Sequence, residues 1–191
     1  EQIRKILYIG IPGGIENALF QGGRVLVVSI ISLFGTTQIA ANGIANNLDT
    51  MGCMVGQAMN LAMVAVIGRC AGALDHTQIR YYTKKLMIFT YLATAVVNIT
   101  ILTNLPFLLS LYGLSKETTD LAFRLVMIHN GCAMILWPVS FVLPNMLRAC
   151  NDVKFPMGIA IFSMAAFRIG FSYILGIRLG MGALGVWYAM I

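Results

Sequence analysis

Successive apolar runs, most of them longer than the roughly 20 residues an α-helix needs to cross a bilayer, constrain this chain more than any other feature. They place helices at about 6–34, 38–67, 84–111, 118–147 and 155–177, with a sixth beginning near 182 and cut off at 191. About five to six transmembrane helices follow, and the expected fold class is all-α, a polytopic transmembrane helix bundle. Gly35-Thr36-Thr37 breaks the pattern after the first run, and Tyr112-Gly113-Leu114-Ser115 closes the third. Ser115 or Thr118 suits the N-cap of the fourth helix, with acids in its first turn. Pro156 suits an early position in the fifth, whereas Pro138 and Pro144 loosen the fourth from within.

Composition excludes a water-soluble domain. Hydrophobic residues make up 59% of the 191, charged residues 10%, and the mean hydropathy is +0.82. Soluble domains carry about 25% charged residues. The net charge of +6 does not signal nucleic-acid binding, because its cations are scattered through short loops rather than gathered on a soluble face. Arg4, Lys5, Arg69, Arg80, Lys84, Lys85, Arg148 and Lys154 fall on one side of the bundle, against Lys116 and Arg178 on the other. That asymmetry places the amino-terminal stub and the polar Cys70–Lys85 segment in the cytoplasm. The four cysteines have no metal-type pairing and read as small apolar residues. A chain that opens on Glu1 and ends inside an apolar run is expected to be an excerpt of a longer polypeptide.

The second helix carries the clearest functional signal. Gln38, Asn42, Asn46, Asp49, Cys53, Gln57 and Asn60 fall within about a 100° sector over about 33 Å. Interhelical hydrogen bonding explains any one of them, but seven in a stripe point to a hydrated cavity. The opposite sector, with Ile44, Leu48, Met51, Val55, Met59, Ala62 and Val66, is expected to face lipid. In the first helix Glu16, beside Asn17, is an acid deep in an apolar span, and such acids mark ion or proton pathways. Arg24 lies too far along for an i,i+4 pair, which leaves a structural partner from elsewhere as the alternative. Asn130, Met134, Trp137 and Phe141 share a face of the fourth helix, suited to lipophilic cations or to ordinary packing. His129 lacks a partner at metal spacing and reads as a buried neutral histidine. No H-E-x-x-H, phosphate loop or G-x-S-x-G elbow supports catalysis.

Several short stretches, in order, resemble one family. Ile9-Gly10-Ile11-Pro12-Gly13-Gly14-Ile15-Glu16-Asn17 is similar to the start of the seventh helix of multidrug and toxic compound extrusion (MATE) transporters. Ile39-Ala40-Ala41-Asn42-Gly43-Ile44-Ala45 resembles the family's A-A-x-x-I/V-A stretch, and Val66 to Ala73 its V-G-Q-x-x-G-A turn, with Arg69 where Gln is usual. Leu143 to Asp152 resembles the L-P-x-x-L-R-A-x-G-D end of the tenth helix. The resemblance implies one six-helix lobe, the carboxy-terminal one, of a twelve-helix antiporter in a bacterial cytoplasmic membrane. It also implies a missing amino-terminal lobe as partner, no cofactor, and organic cations leaving in exchange for sodium ions or protons. By the same resemblance Glu16 matches the ion-coupling position, where the exchanged ion is a proton or a transported sodium ion held near it. Asn17, Asn42, Asn46, Asp49, Gln57, Asn60, Asn130, Trp137 and Phe141 are the candidate cavity lining. The tenth helix of some branches pairs that glutamate with an acid; here it has none between Asp120 and Asp152. A lipid-linked oligosaccharide or polysaccharide flippase of the same superfamily is the alternative, and an intramembrane enzyme the more distant one.

Overall fold

The computed structural model describes the backbone of residues 2–190 and the side chains of residues 10, 11 and 13–190. Arg4, Lys5 and Pro12, which entered the sequence argument, lie outside the described side chains. Among the described residues every regular element is helical. Helix α1 spans Gln2–Ser32, α2 Thr36–Gly72 and α3 His76–Thr103. A short α4, Leu105–Ser110, follows. Two longer rods, α5 over Lys116–Ala149 and α6 over Lys154–Arg178, precede a short α7, Gly182–Tyr188.

Four of these helices, α2, α3, α5 and α6, are long and apolar enough to cross a membrane. α1 matches them in length, but Glu16, Asn17, Gln21 and Arg24 interrupt its apolar run.

The turns follow from local chemistry. Gly35, at φ 100°, occupies backbone space that a side chain would strain, and separates α1 from α2. Asp75 caps α3 by accepting from the Gln78 N–H at 3.0 Å. Ser115 caps α5, accepting from the Thr118 N–H. The polar segment expected as a loop over 70–85 is instead almost wholly helical, with a turn only at 73–75. Arg69, Arg80, Lys84 and Lys85 therefore ride on helical extensions of the two apolar spans, which polar residues favour once backbone bonds are satisfied.

Pro138 reshapes α5. It has no N–H to donate, and the chain widens into a π-helical segment, Pro138–Val142, in which the Leu143 N–H reaches the Pro138 carbonyl. α6 carries two such segments, Met164–Phe171 and Ile174–Arg178.

α2 runs through the middle of the lobe, and α3 and α5 close on it because glycine lets them. At Gly52 an added Cβ would stand 2.5 Å from Asn98 Oδ1 of α3, and at Gly56 it would collide with the Trp137 ring of α5. The pair is spaced as G-x-x-x-G, the close-approach pattern of membrane helices. The sector expected to face lipid is corrected by this placement: Ile44 and Leu48 are 8% and 1% exposed and belong to the core, although Met51 is open. A helix flanked on several sides buries both edges of its polar stripe. The main core gathers Val27, Ile31, Leu48, Leu105, Leu125, Val126 and Trp187 near the α7 end. A smaller one at the basic end joins Met63, Ile67 and Val142.

Candidate functional site

Two polar centres lie along α2, with an aromatic wall between them. The first joins α1, α5 and α2. Arg148, one residue before the end of α5, donates from Nη2 to both Glu16 oxygens, at 2.6 and 2.8 Å. Its Nη1 donates to Asn145 Oδ1 at 3.0 Å. Asn145 Nδ2 in turn donates to Asn60 Oδ1 of α2 at 2.9 Å and to the Phe141 carbonyl at 3.0 Å. Glu16 and Arg148 side chains keep 22% and 29% exposure, so water reaches the pair. Glu16 thus sits at the level of the Arg148 end of the lobe, and its partner is Arg148 rather than Arg24 or Arg168.

The second centre joins α2, α5 and α7. Asp49 Oδ1 stands 3.0 Å from His129 Nδ1, off the line of a hydrogen bond. The Cys53 thiol donates to Asp49 at 3.5 Å. The His129 ring meets Trp187 edge to face at 5.0 Å. Trp187 Nε1 donates to Asn42 Oδ1 at 2.9 Å, and Asn46 Nδ2 donates to the same oxygen at 3.0 Å. Gln38 Oε1 accepts from the Ala183 N–H at 2.6 Å and pins the start of α7. Asp49 and Asn60 are eleven residues apart, so the two centres are separated by about 16 Å along α2.

Between them Trp137 stacks on Phe141 at 5.1 Å, and Phe141 meets Phe20 of α1 edge to face at 6.0 Å. The Arg168 guanidinium of α6 lies 4.6 Å over the Phe20 ring. Arg24 and Asp49 both act on Arg168 electrostatically.

The candidate residues are therefore distributed unevenly. Glu16 and Asn60 join the first centre, Asn42, Asn46 and Asp49 the second, and Trp137 and Phe141 the aromatic wall. Asn17 and Gln57 are exposed. Asn130 is fully buried beside Gly52 at the interface of α2, α3 and α5, and neither of its amide atoms has a hydrogen-bond partner. His129, Arg148, Asn145, Phe20, Arg168 and Trp187 escaped the sequence reading as site residues. Each meets its partner across helices, where periodicity carries no signal; only the L-R-A motif marked Arg148. Among the described residues no group of three or more His, Cys, Asp or Glu side chains is placed to hold a metal ion.

Apolar helices of bilayer length, closing over carboxylates, amides and arginines, define a polytopic membrane-protein helix bundle. The chain belongs to the MatE family, whose model matches residues 12–174. It is 27% identical to the uncharacterised transporter YisQ of Bacillus subtilis, over 100% of this chain and 42% of that protein. It is 22% identical to a probable multidrug resistance protein, NorM, of Thermotoga maritima, over 98% of this chain and 40% of that protein. The chain thus spans about two fifths of the length of the curated relatives it matches. Among solved structures, a MOP superfamily transporter from Pyrococcus furiosus, described by the reverse polarity of its binding pocket, superposes with a TM-score of 0.88. It is 21% identical over 96% of this chain and 40% of its own. An outward-facing multidrug resistance MATE transporter superposes with a TM-score of 0.85 at 20% identity, with the same coverage of both chains. These two show the fold.

Proposed function

We propose that the whole protein exports organic cations in exchange for sodium ions or protons by alternating access, and that Glu16 is the coupling acid of this lobe. The observation that carries the reading is the Glu16–Arg148 pair. A carboxylate inside a bilayer-length helix is retained at a cost unless something neutralises it. Here that something is a cation from another helix, held by one guanidinium nitrogen and partly open to water. A sodium ion or proton that replaces Arg148 at Glu16 stabilises a different arrangement of α1 against α5, and differential binding of that kind drives a two-state carrier. The aromatic wall of Phe20, Trp137 and Phe141 supplies faces on which a lipophilic cation can rest. The test is gradient-driven efflux of a fluorescent cation by the full-length protein, with Glu16→Gln expected close to background. Wild-type rate and ion dependence in that variant reject the assignment.

The flippase reading is favoured by one observation. Arg24 and Arg168 sit in spans without a carboxylate at ion-pair distance among the described residues. Transport of a lipid-linked pyrophosphate oligosaccharide, lost in Arg168→Gln, would establish it over cation export.

We also propose that the Arg69–Lys85 end of the lobe faces the cytoplasm, supported by the charge asymmetry of the loops. A tag inserted after Leu74, an exposed residue of the turn, should be protected from external antibody in intact cells. Labelling from outside inverts the topology.

A further inference from the structure

The contact of Asp49 with His129 forms a second centre that the reading above leaves unused. Both side chains lie inside helices of bilayer length, 22% and 13% exposed. Asp49 meets the Cys53 thiol on its own helix and His129 on α5, and it acts electrostatically on Arg168 of α6, which also feels Arg24 of α1. On the far side of the imidazole lies Trp187 of α7, tied to Asn42.

A carboxylate in such a place calls for a cation. Arg168 does not form an ion pair with it: the guanidinium rests on Phe20 and its Nε has no hydrogen-bond partner. The group at ion-pair distance is the imidazole. A guanidinium is a fixed charge, whereas histidine changes charge between about pH 5 and 8. The neutralisation of Asp49 is therefore switchable.

We propose that Asp49 and His129 form a proton-gated cation subsite, in which protonated His129 and a monovalent organic cation compete for the Asp49 carboxylate. When the cation arrives, one proton leaves the imidazole for water, and the charge of the site is unchanged. The fixed positive charges of Arg24 and Arg168 disfavour holding both cations at once. Partial exposure gives water and solute a route to the carboxylate. The subsite rests on the cation-export reading and adds to it a centre about 16 Å along α2 from the level of Glu16.

The experiment uses the full-length protein in detergent and tetraphenylphosphonium as the probe. Binding is followed by calorimetry at about pH 5.5 and about pH 8, in buffers of different protonation enthalpy. The wild type is expected to bind about tenfold more weakly at the lower pH and to release protons on binding. His129→Gln should bind alike at both pH values without that release, and Asp49→Asn should bind weakly at both. If His129→Gln does not fold, His129→Asn carries the same expectation. Wild-type pH dependence and proton release in the histidine variant overturn the subsite. Loss of both in Glu16→Gln, with retention in His129→Gln, moves the proton to Glu16 and overturns the subsite while cation export stands. A wild-type protein that neither binds nor exports the probe overturns the cation reading itself.

Discussion

Arg148 holds Glu16 end-on: a single nitrogen, Nη2, reaches both carboxylate oxygens across 132 residues of sequence, and Nη1 is left for Asn145. A fork-to-fork pair would commit both nitrogens to the acid and bind it more rigidly. The end-on grip leaves the acid exchangeable, and it links α1 to α2 through Asn145 and Asn60.

Glu16→Gln removes the charge and keeps the size. Arg148 then faces an amide in a partly exposed site, so the loss is smaller than the ~3–5 kcal/mol of a fully buried broken pair. A stability loss of about 1–2 kcal/mol, read as a lowered Tm of the purified full-length protein, is expected. Efflux of a fluorescent cation should fall far more than that loss explains. A variant that melts early but exports normally would make Glu16 structural only.

Gly56→Ala tests the helix crossing at the centre of the lobe. The added methyl meets the Trp137 ring, which is stacked on Phe141 and has little freedom to retreat. Overpacking of this kind costs about 1–3 kcal/mol. The thermal midpoint should drop, and Trp137→Leu should restore part of it by vacating the space. Unchanged stability in Gly56→Ala would mean that α2 and α5 do not meet as described.

The fold was legible in the sequence because lipid imposes one rule everywhere: long apolar runs must become helices. The N-cap of α5 was legible to a choice between Ser115 and Thr118, of which Ser115 is the cap, since a cap is a local event. The helical extension through Arg80 and Lys84 was not, because charged residues end a hydropathy window without ending a helix. Glu16 stood out as an acid in a span, yet Arg148 resembled any loop cation until the end of α5 was placed beside α1. Nothing local to His129 marks a partner, because its carboxylate lies on another helix. The lipid-facing expectation for Ile44 and Leu48 failed because a helical wheel gives angles without saying how many neighbours surround them.

Trp187 anchors the short α7 through its packed ring and one hydrogen bond. Its ring is 2% exposed, and Nε1 donates to Asn42 Oδ1, which Asn46 also satisfies. Trp187→Phe keeps most of the apolar volume, and Asn42 retains its second donor. The cost should therefore stay near 1 kcal/mol, whereas Trp187→Ala should cost about 3–5 kcal/mol. Equal losses in the two variants would show that the hydrogen bond, not the packed ring, holds α7 in place.

Cysteine accessibility distinguishes a hydrated stripe on α2 from a stripe that merely binds neighbouring helices. Gln57 is exposed, Asn46 and Asn60 are half-buried, and Ile44 and Leu48 lie in the core. In the full-length protein, single cysteines at Gln57, Asn60 and Asn46 should react with a membrane-impermeant maleimide. Cysteines at Ile44 and Leu48 should stay silent until the protein is unfolded, because packing rather than lipid shields them. Asn60 hydrogen-bonds Asn145, so Asn60→Cys also loosens the link to Arg148 and should react faster still in Glu16→Gln. Silence at all three polar positions, with reaction at Ile44, would mean that the stripe is interhelical glue and that no water-filled cavity runs along it.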